Sequence, residues 1–130
     1  MSPMARRNIH SGSPFEAIVG YCRAVVQPPF VFVAGTVGRD PDTGDMPADV
    51  ESQCANALRI IGAALAEAGA SFADVVRVTY YAPERADFEA CWPQLRAAFG
   101  ANPPASTMVV AGLIDPAMRI EIEVTAMLPS

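Results

Sequence analysis

Met118-Arg119-Ile120-Glu121-Ile122-Glu123-Val124 closes the stretch from Pro103 to Ala126, which reads as two strands joined by a short connection. Successive strand side chains point to opposite faces, so Met118, Ile120, Ile122 and Val124 share one face and Arg119, Glu121 and Glu123 the other. The apolar row asks for helices to cover it. The ionic row needs water, a cation or a ligand beside it, because an unpaired charge is costly to bury. The polar face of this strand is therefore where a functional site is expected.

Upstream, the chain has two halves of similar order. The first has an extended segment from about Ala17 to Val26, the apolar run Val31 to Gly35, and the turn-rich loop Arg39-Asp40-Pro41-Asp42-Thr43-Gly44-Asp45. A helix follows from about Pro47 to Ala68, in which Val50, Cys54, Ala57, Leu58, Ile61 and Leu65 recur at helical spacing and Gly69 suits a left-handed terminator. The second half has a strand Val75 to Ala82, then a helix from about Ala86 to Phe99 with Phe88, Cys91, Trp92, Leu95 and Phe99 on one side, then the closing strands. This order predicts an α+β sandwich of two βαβ-like halves, one mixed sheet with two helices on one face. The other face of the sheet is partly apolar, as Val75, Arg77, Thr79 and Tyr81 alternate with Val76, Val78 and Tyr80. It is either an ordinary solvated face or the inner surface of a closed homo-oligomer.

At 130 residues and 52% hydrophobic content, the chain fits one domain spanning 1–130, with 1–13 a flexible or edge lead-in. A net charge of -5, a sequence pI of about 4.7 and the lack of any Lys/Arg run argue against nucleic acid as a partner. No stretch is long and apolar enough for a membrane span, so no membrane association is expected. Cys22, Cys54 and Cys91 lie far apart without metal-ligand spacing and without a signal peptide, which points to reduced thiols in a cytoplasmic protein with no metal. Cys54 and Cys91 fall on apolar helix sides and read as core filler; Cys22 reads as a passive thiol rather than a nucleophile. His10, in a polar lead-in, is assigned no role.

Several pieces occur together and in order: Gly20-Tyr21-Cys22-Arg23-Ala24-Val25, Val31-Phe32-Val33-Ala34-Gly35-Thr36, Asp42-Thr43-Gly44, Asp74-Val75-Val76-Arg77-Val78-Thr79, Asp87-Phe88, Pro104-Ala105 and Ile120-Glu121-Ile122-Glu123. Over nearly the whole chain this series resembles the YjgF/Rid family of reactive-intermediate deaminases. The resemblance implies a chorismate-mutase-like fold and a homotrimer whose sheets face inward as a barrel. It also implies small-molecule clefts between neighbouring subunits and no cofactor. Family members that deaminate 2-imino acids carry an arginine in a Pro-Ala-Arg-Ser segment, where its fork grips the substrate carboxylate. Here that segment is Pro104-Ala105-Ser106-Thr107. Further departures are Ala34 for a family serine, Trp92 for a family asparagine and Met108 for a family cysteine, while Tyr21, Gly35 and Glu121 match.

By that resemblance Glu121 holds or activates a water and Tyr21 orients it, making these two the catalytic candidates. Ser106, Thr107, Ala34, Gly35, Thr36, Trp92 and Met108 are the substrate-binding candidates. Each has a plainer alternative. Glu121 pairs with Arg119, Arg23 or Arg77 and only holds the assembly together, Tyr21 packs at an interface, and Trp92 sits under the sheet. Two functions follow: a Rid-like hydrolase acting on an imine, enamine or related metabolite without an amino-acid carboxylate, or a non-catalytic trimeric binder of a small, mostly apolar metabolite. The endoribonuclease label attached to some family members has no support in an acidic chain without a basic groove.

Overall fold

The computed structural model describes residues 5–130; the first four residues of the expected lead-in lie outside the described residues. In chain order come β1 (Arg7–Ile9), α1 (Pro14–Val19), β2 (Ala24–Gln27), β3 (Phe30–Val37), α2 (Val50–Ala68), β4 (Val75–Ala82), α3 (Arg85–Phe99), β5 (Ala105–Val110) and β6 (Glu121–Met127), with a 3-10 turn at Phe72–Asp74 ahead of β4. The strands form one mixed sheet in the order β1-β2-β3-β6-β4-β5, in which β4 and β5 run parallel and the other described pairs antiparallel. β1 is thus an edge strand. No helix among the described residues is long and apolar enough to cross a membrane.

Local chemistry sets the limits of α2. Asp49 accepts hydrogen bonds from the Ser52 N–H (2.9 Å) and hydroxyl (2.6 Å), so the helix starts at Val50 rather than at Pro47. Gly69 ends it in the left-handed region at φ 89°. Val50, Cys54, Ala57, Ile61 and Leu65 from α2 and Cys91, Leu95 and Phe99 from α3 bury against Val31, Val33, Val78, Tyr80, Ile122 and Val124 of the sheet. Cys54 and Cys91 lie wholly inside this core.

Three expectations are corrected. Residues 17–19 are helical, not extended: Ser13 caps α1, Pro14 opens it and Gly20 closes it at φ 94°. β5 and β6 do not pair, because β4 lies between them, and the connection at 111–120 is long enough to cross it. Arg119 precedes β6 and leaves the Glu121 row; its guanidinium donates to Asp87 at 2.6 and 3.1 Å and to the Ala48 carbonyl at 2.8 Å. Met118 and Ile120, also ahead of the strand, still bury as the alternation required.

Gln53, fully buried in the first turns of α2, fixes that crossing loop. Its amide donates to Pro47 O (2.7 Å) and Ala117 O (2.9 Å), and its oxygen accepts from the Arg119 N–H (2.8 Å). A leucine of similar volume would remove three hydrogen bonds to part-buried backbone groups. Gln53→Leu is therefore expected to lower stability by about 2–4 kcal/mol, read as a drop in the urea midpoint at unchanged m-value.

Candidate functional site

Glu121 opens β6 at the end of the sheet where β3 and β4 stop, opposite Val37 on one side and Tyr81 on the other. Its carboxylate is partly buried and, among the described residues, makes no hydrogen bond or ion pair. Burial, then the neighbouring Glu123, raise its pKa above the usual carboxylate range, and Arg23 opposes them. Glu123 itself accepts the Tyr81 hydroxyl at 2.9 Å, and this bond, with burial and the two carboxylates, raises the phenol pKa.

Space for the Glu121 carboxylate comes from the facing strand. The β3–β6 register shifts between Val33 and Thr36, a bulge of the kind that re-aims side chains, and Gly35 stands inside it. A Cβ at Gly35 would lie 3.0 Å from Glu121 Cδ and closer still to Oε2. Only a residue without a side chain leaves the carboxylate where it is.

Arg23 completes the wall. It is 7% exposed. Nη1 donates to the Gly35 carbonyl (2.9 Å) and the Thr36 hydroxyl (3.0 Å), and Nη2 donates to the Tyr21 hydroxyl at 3.4 Å. The guanidinium carbon lies 5.5 Å from the Tyr21 ring centroid, within cation–π range. Nε finds no partner among the described residues. Of the three arginines suggested as partners for Glu121, Arg119 is held by Asp87, Arg77 is exposed on β4, and Arg23 stands near without forming an ion pair. The spacing of Tyr21 and Arg23 by two residues in extended chain places them on one face, a signal in the sequence for the role of Arg23 beyond that of a partner for Glu121.

The candidates thus divide into two groups. Tyr21, Ala34, Gly35, Thr36 and Glu121 come together, with Thr36 2% exposed and its hydroxyl engaged by Arg23 and by the Ala34 carbonyl. Ser106 and Met108 lie elsewhere, on β5 opposite Val78 and Tyr80 of β4, and so on the helix-covered side, whereas Thr107 pairs with Thr79 on the open side. Trp92 is 46% exposed on α3, edge-on to Phe88, which in turn packs on Tyr80; it is not under the sheet, and the side it reaches through Tyr80 is the one opposite to Glu121. By register, Ser106 is two strands across and three residues along from Glu121, roughly 14 Å away. One small molecule cannot touch both within a single chain.

Other side chains are placed without a site role. Cys22 donates its thiol to the Ala24 carbonyl at 3.3 Å. His10, expected to be merely solvated, is held by Nδ1 at 3.1 Å from Glu16 Oε1. Burial alone would raise the Glu16 carboxyl, but its bonds from Ser11 and His10 and the nearby Arg23 hold it below the usual range.

Because the atom nearest a Cβ at Gly35 is the free end of a side chain, Gly35→Ala is expected to change stability by less than about 1 kcal/mol while expelling the carboxylate from its seat. Thermal unfolding checks the first part. A crystal structure of the variant checks the second.

The family described as Endoribonuclease L-PSP matches residues 11–128. A RutC family protein of Pyrococcus abyssi is 34% identical over 124 residues, covering 95% of this chain and 98% of the relative. The 2-iminobutanoate/2-iminopropanoate deaminase of Rattus norvegicus is 31% identical over 127 residues, covering 97% and 93%. A crystal structure of a YjgF-family member from Mycobacterium tuberculosis superposes with a TM-score of 0.85 at 39% identity, covering 95% of this chain and all of the other. On fold, on the span of the match and on these relatives, the chain belongs to the YjgF/Rid family.

Proposed function

We propose that this chain is the subunit of a homotrimeric Rid-type deaminase that hydrolyses a small imine or enamine in clefts between subunits. The observation that carries the proposal is the Glu121 carboxylate, partly buried, unpaired and seated against Gly35, whose carbonyl shares Arg23 with the Tyr21 hydroxyl. A carboxylate with a raised pKa and both oxygens available suits proton transfer near neutrality. Glu121 takes a proton from water as the water oxygen bonds to the imine carbon, and the imine nitrogen gains a proton. The resulting carbinolamine then breaks its C–N bond, leaving a carbonyl product and ammonia, so that one imine and one water yield one carbonyl compound and one ammonia. Tyr21 orients the water or a polar group of the substrate.

The separation of Ser106, Met108 and Trp92 from Glu121 supports a cleft shared by two chains, one giving the Glu121–Tyr21–Gly35 wall and its neighbour the β5–α3 wall. Exposed apolar side chains are available to both rims: Phe15, Ile18 and Val19 of α1 lie just before Tyr21, and Val110 ends β5 with Ile114 in the segment after it. The open sheet face carries Phe30 and Phe32, stacked at 5.8 Å, and a pocket of about 280 Å³ edged by Val25, Arg77, Thr79 and Glu123. Such a face suits burial against further copies of the chain. With Ser106 in the arginine position, the preferred substrates lack the amino-acid carboxylate, and Trp92 and Met108 favour an apolar substituent.

Ammonia release from freshly generated imines is expected to fall about 100-fold or more in Glu121→Ala, the range for losing a general base, with a trimer unchanged by light scattering. If the native protein releases ammonia no faster than buffer, the cleft is a binding site without turnover. Ser106→Arg is expected to gain weak activity toward 2-imino acids, measured in the same assay.

A further inference from the structure

We infer that Arg23 is the positioning residue of this cleft: it supplies the countercharge for Glu121 without occupying the carboxylate oxygens, and it fixes the Tyr21 hydroxyl and the Gly35 bulge against which Glu121 is seated. The inference rests on the reading of Glu121 as the base.

The geometry makes Arg23 a support rather than a substrate clamp. It is 93% buried, Nε included, and its two terminal nitrogens are turned to Gly35 O, Thr36 Oγ1 and the Tyr21 hydroxyl, so burial keeps the guanidinium from gripping a substrate carboxylate. Because Nη2 donates to the phenol oxygen, the Tyr21 proton is left to point away from the guanidinium and to serve as a donor in the cleft. The Gly35 carbonyl is fixed by the same group, so one cation sets both the hydroxyl and the bulge. Its charge acts on Glu121 across the cluster but makes no ion pair with it, and the carboxylate keeps its lone pairs for water.

The groups facing Glu121 have opposing effects. Glu123 on its own strand and Tyr81 on β4 offer it no countercharge, β3 presents only Gly35 and Val37, and the segment ahead of β2 brings Tyr21 and Arg23. Arg23 is the one cation acting on Glu121 among the described residues. Without it, burial and Glu123 act unopposed, and Glu121 holds its proton to higher pH. A base must be deprotonated, so loss of the Arg23 charge adds, at acid pH, to the loss of positioning that is felt at every pH.

The test compares native protein, Arg23→Gln and Arg23→Lys by carboxyl-carbon NMR titration of Glu121, with the resonance assigned by its loss in Glu121→Gln. Rate-versus-pH profiles of imine hydrolysis are recorded alongside. In Arg23→Gln the Glu121 midpoint and the acid limb are expected to move upward together by about half a unit to one unit. On the alkaline plateau Arg23→Gln loses what Arg23→Lys loses, and below the midpoint its rates drop a further factor of about three to ten, the same shift in linear form. Arg23→Lys keeps the charge and loses the fork, so the midpoint stays near the native value while kcat falls and KM holds. Should Arg23→Gln not fold, Arg23→Lys decides: a midpoint displaced as far as half a unit overturns the inference. An unmoved midpoint in folded Arg23→Gln, or a loss equal at every pH, overturns it as well. If the midpoint moves but native protein hydrolyses no imine, the assignment of Arg23 stands and the proposed activity fails.

Discussion

Every ladder hydrogen bond that joins the two halves of the sheet runs through β6. β1, β2 and β3 form an antiparallel set and β4 and β5 a parallel pair, and no strand of the first set pairs directly with one of the second. The closing strand fills the slot between β3 and β4, with Val33 opposite Val124 on one side and Val78 opposite Val124 on the other. Its inward row, Ile122, Val124 and Ala126, is buried by both helices, and its outward row carries Glu121 and Glu123. One segment thus supplies both the centre of the core and the acid of the site. A shift of one residue would exchange the two rows, placing carboxylates under the helices, so burial pins the site's geometry as firmly as it pins the fold.

The polar cluster at the head of β6 is arranged with little slack. Arg23 is buried with charge on it, an arrangement that normally calls for a carboxylate in direct contact. Here Glu16 and Glu121 act on it at a distance, a carbonyl, a hydroxyl and a phenol accept from its terminal nitrogens, and Nε has no partner among the described residues. Arg119, by contrast, is fixed directly by Asp87 in the first turn of α3, and that pair anchors the helix to the loop leading into β6. The two arginines thus divide the work between the site and the scaffold, and Glu121 forms an ion pair with neither.

Much of this could be read from the residues. The seven-residue spacing of Cys54 and Ile61, the terminator Gly69 and the alternation of 118–124 each answer to one physical rule, and the structure follows them to within a few residues. The short helix α1 was missed because six residues give little periodicity, and its apolar members Phe15, Ile18 and Val19 are exposed, although Ser13-Pro14 and Gly20 carried the capping signal. The course of 103–126 was missed for another reason. Adjacent strands suggest a hairpin, and nothing local says that β4 will insert between them. Of the site, the identities of Glu121, Tyr21 and Gly35 were legible from the resemblance, whereas the role of Arg23 was not, since it depends on a bulge in β3 that pattern alone does not reveal.

The slot occupied by β6 bears on how the chain comes into being. On a ribosome the five other strands and both long helices emerge before it, yet β3 and β4 each keep an unpaired edge until it arrives, and Val33 meets Val124 only across about ninety intervening residues. Exposed edges of that kind recruit other strands. The nascent domain therefore passes through an interval in which it is sticky and incomplete, closing in a single late step that at the same moment brings its acid group into place.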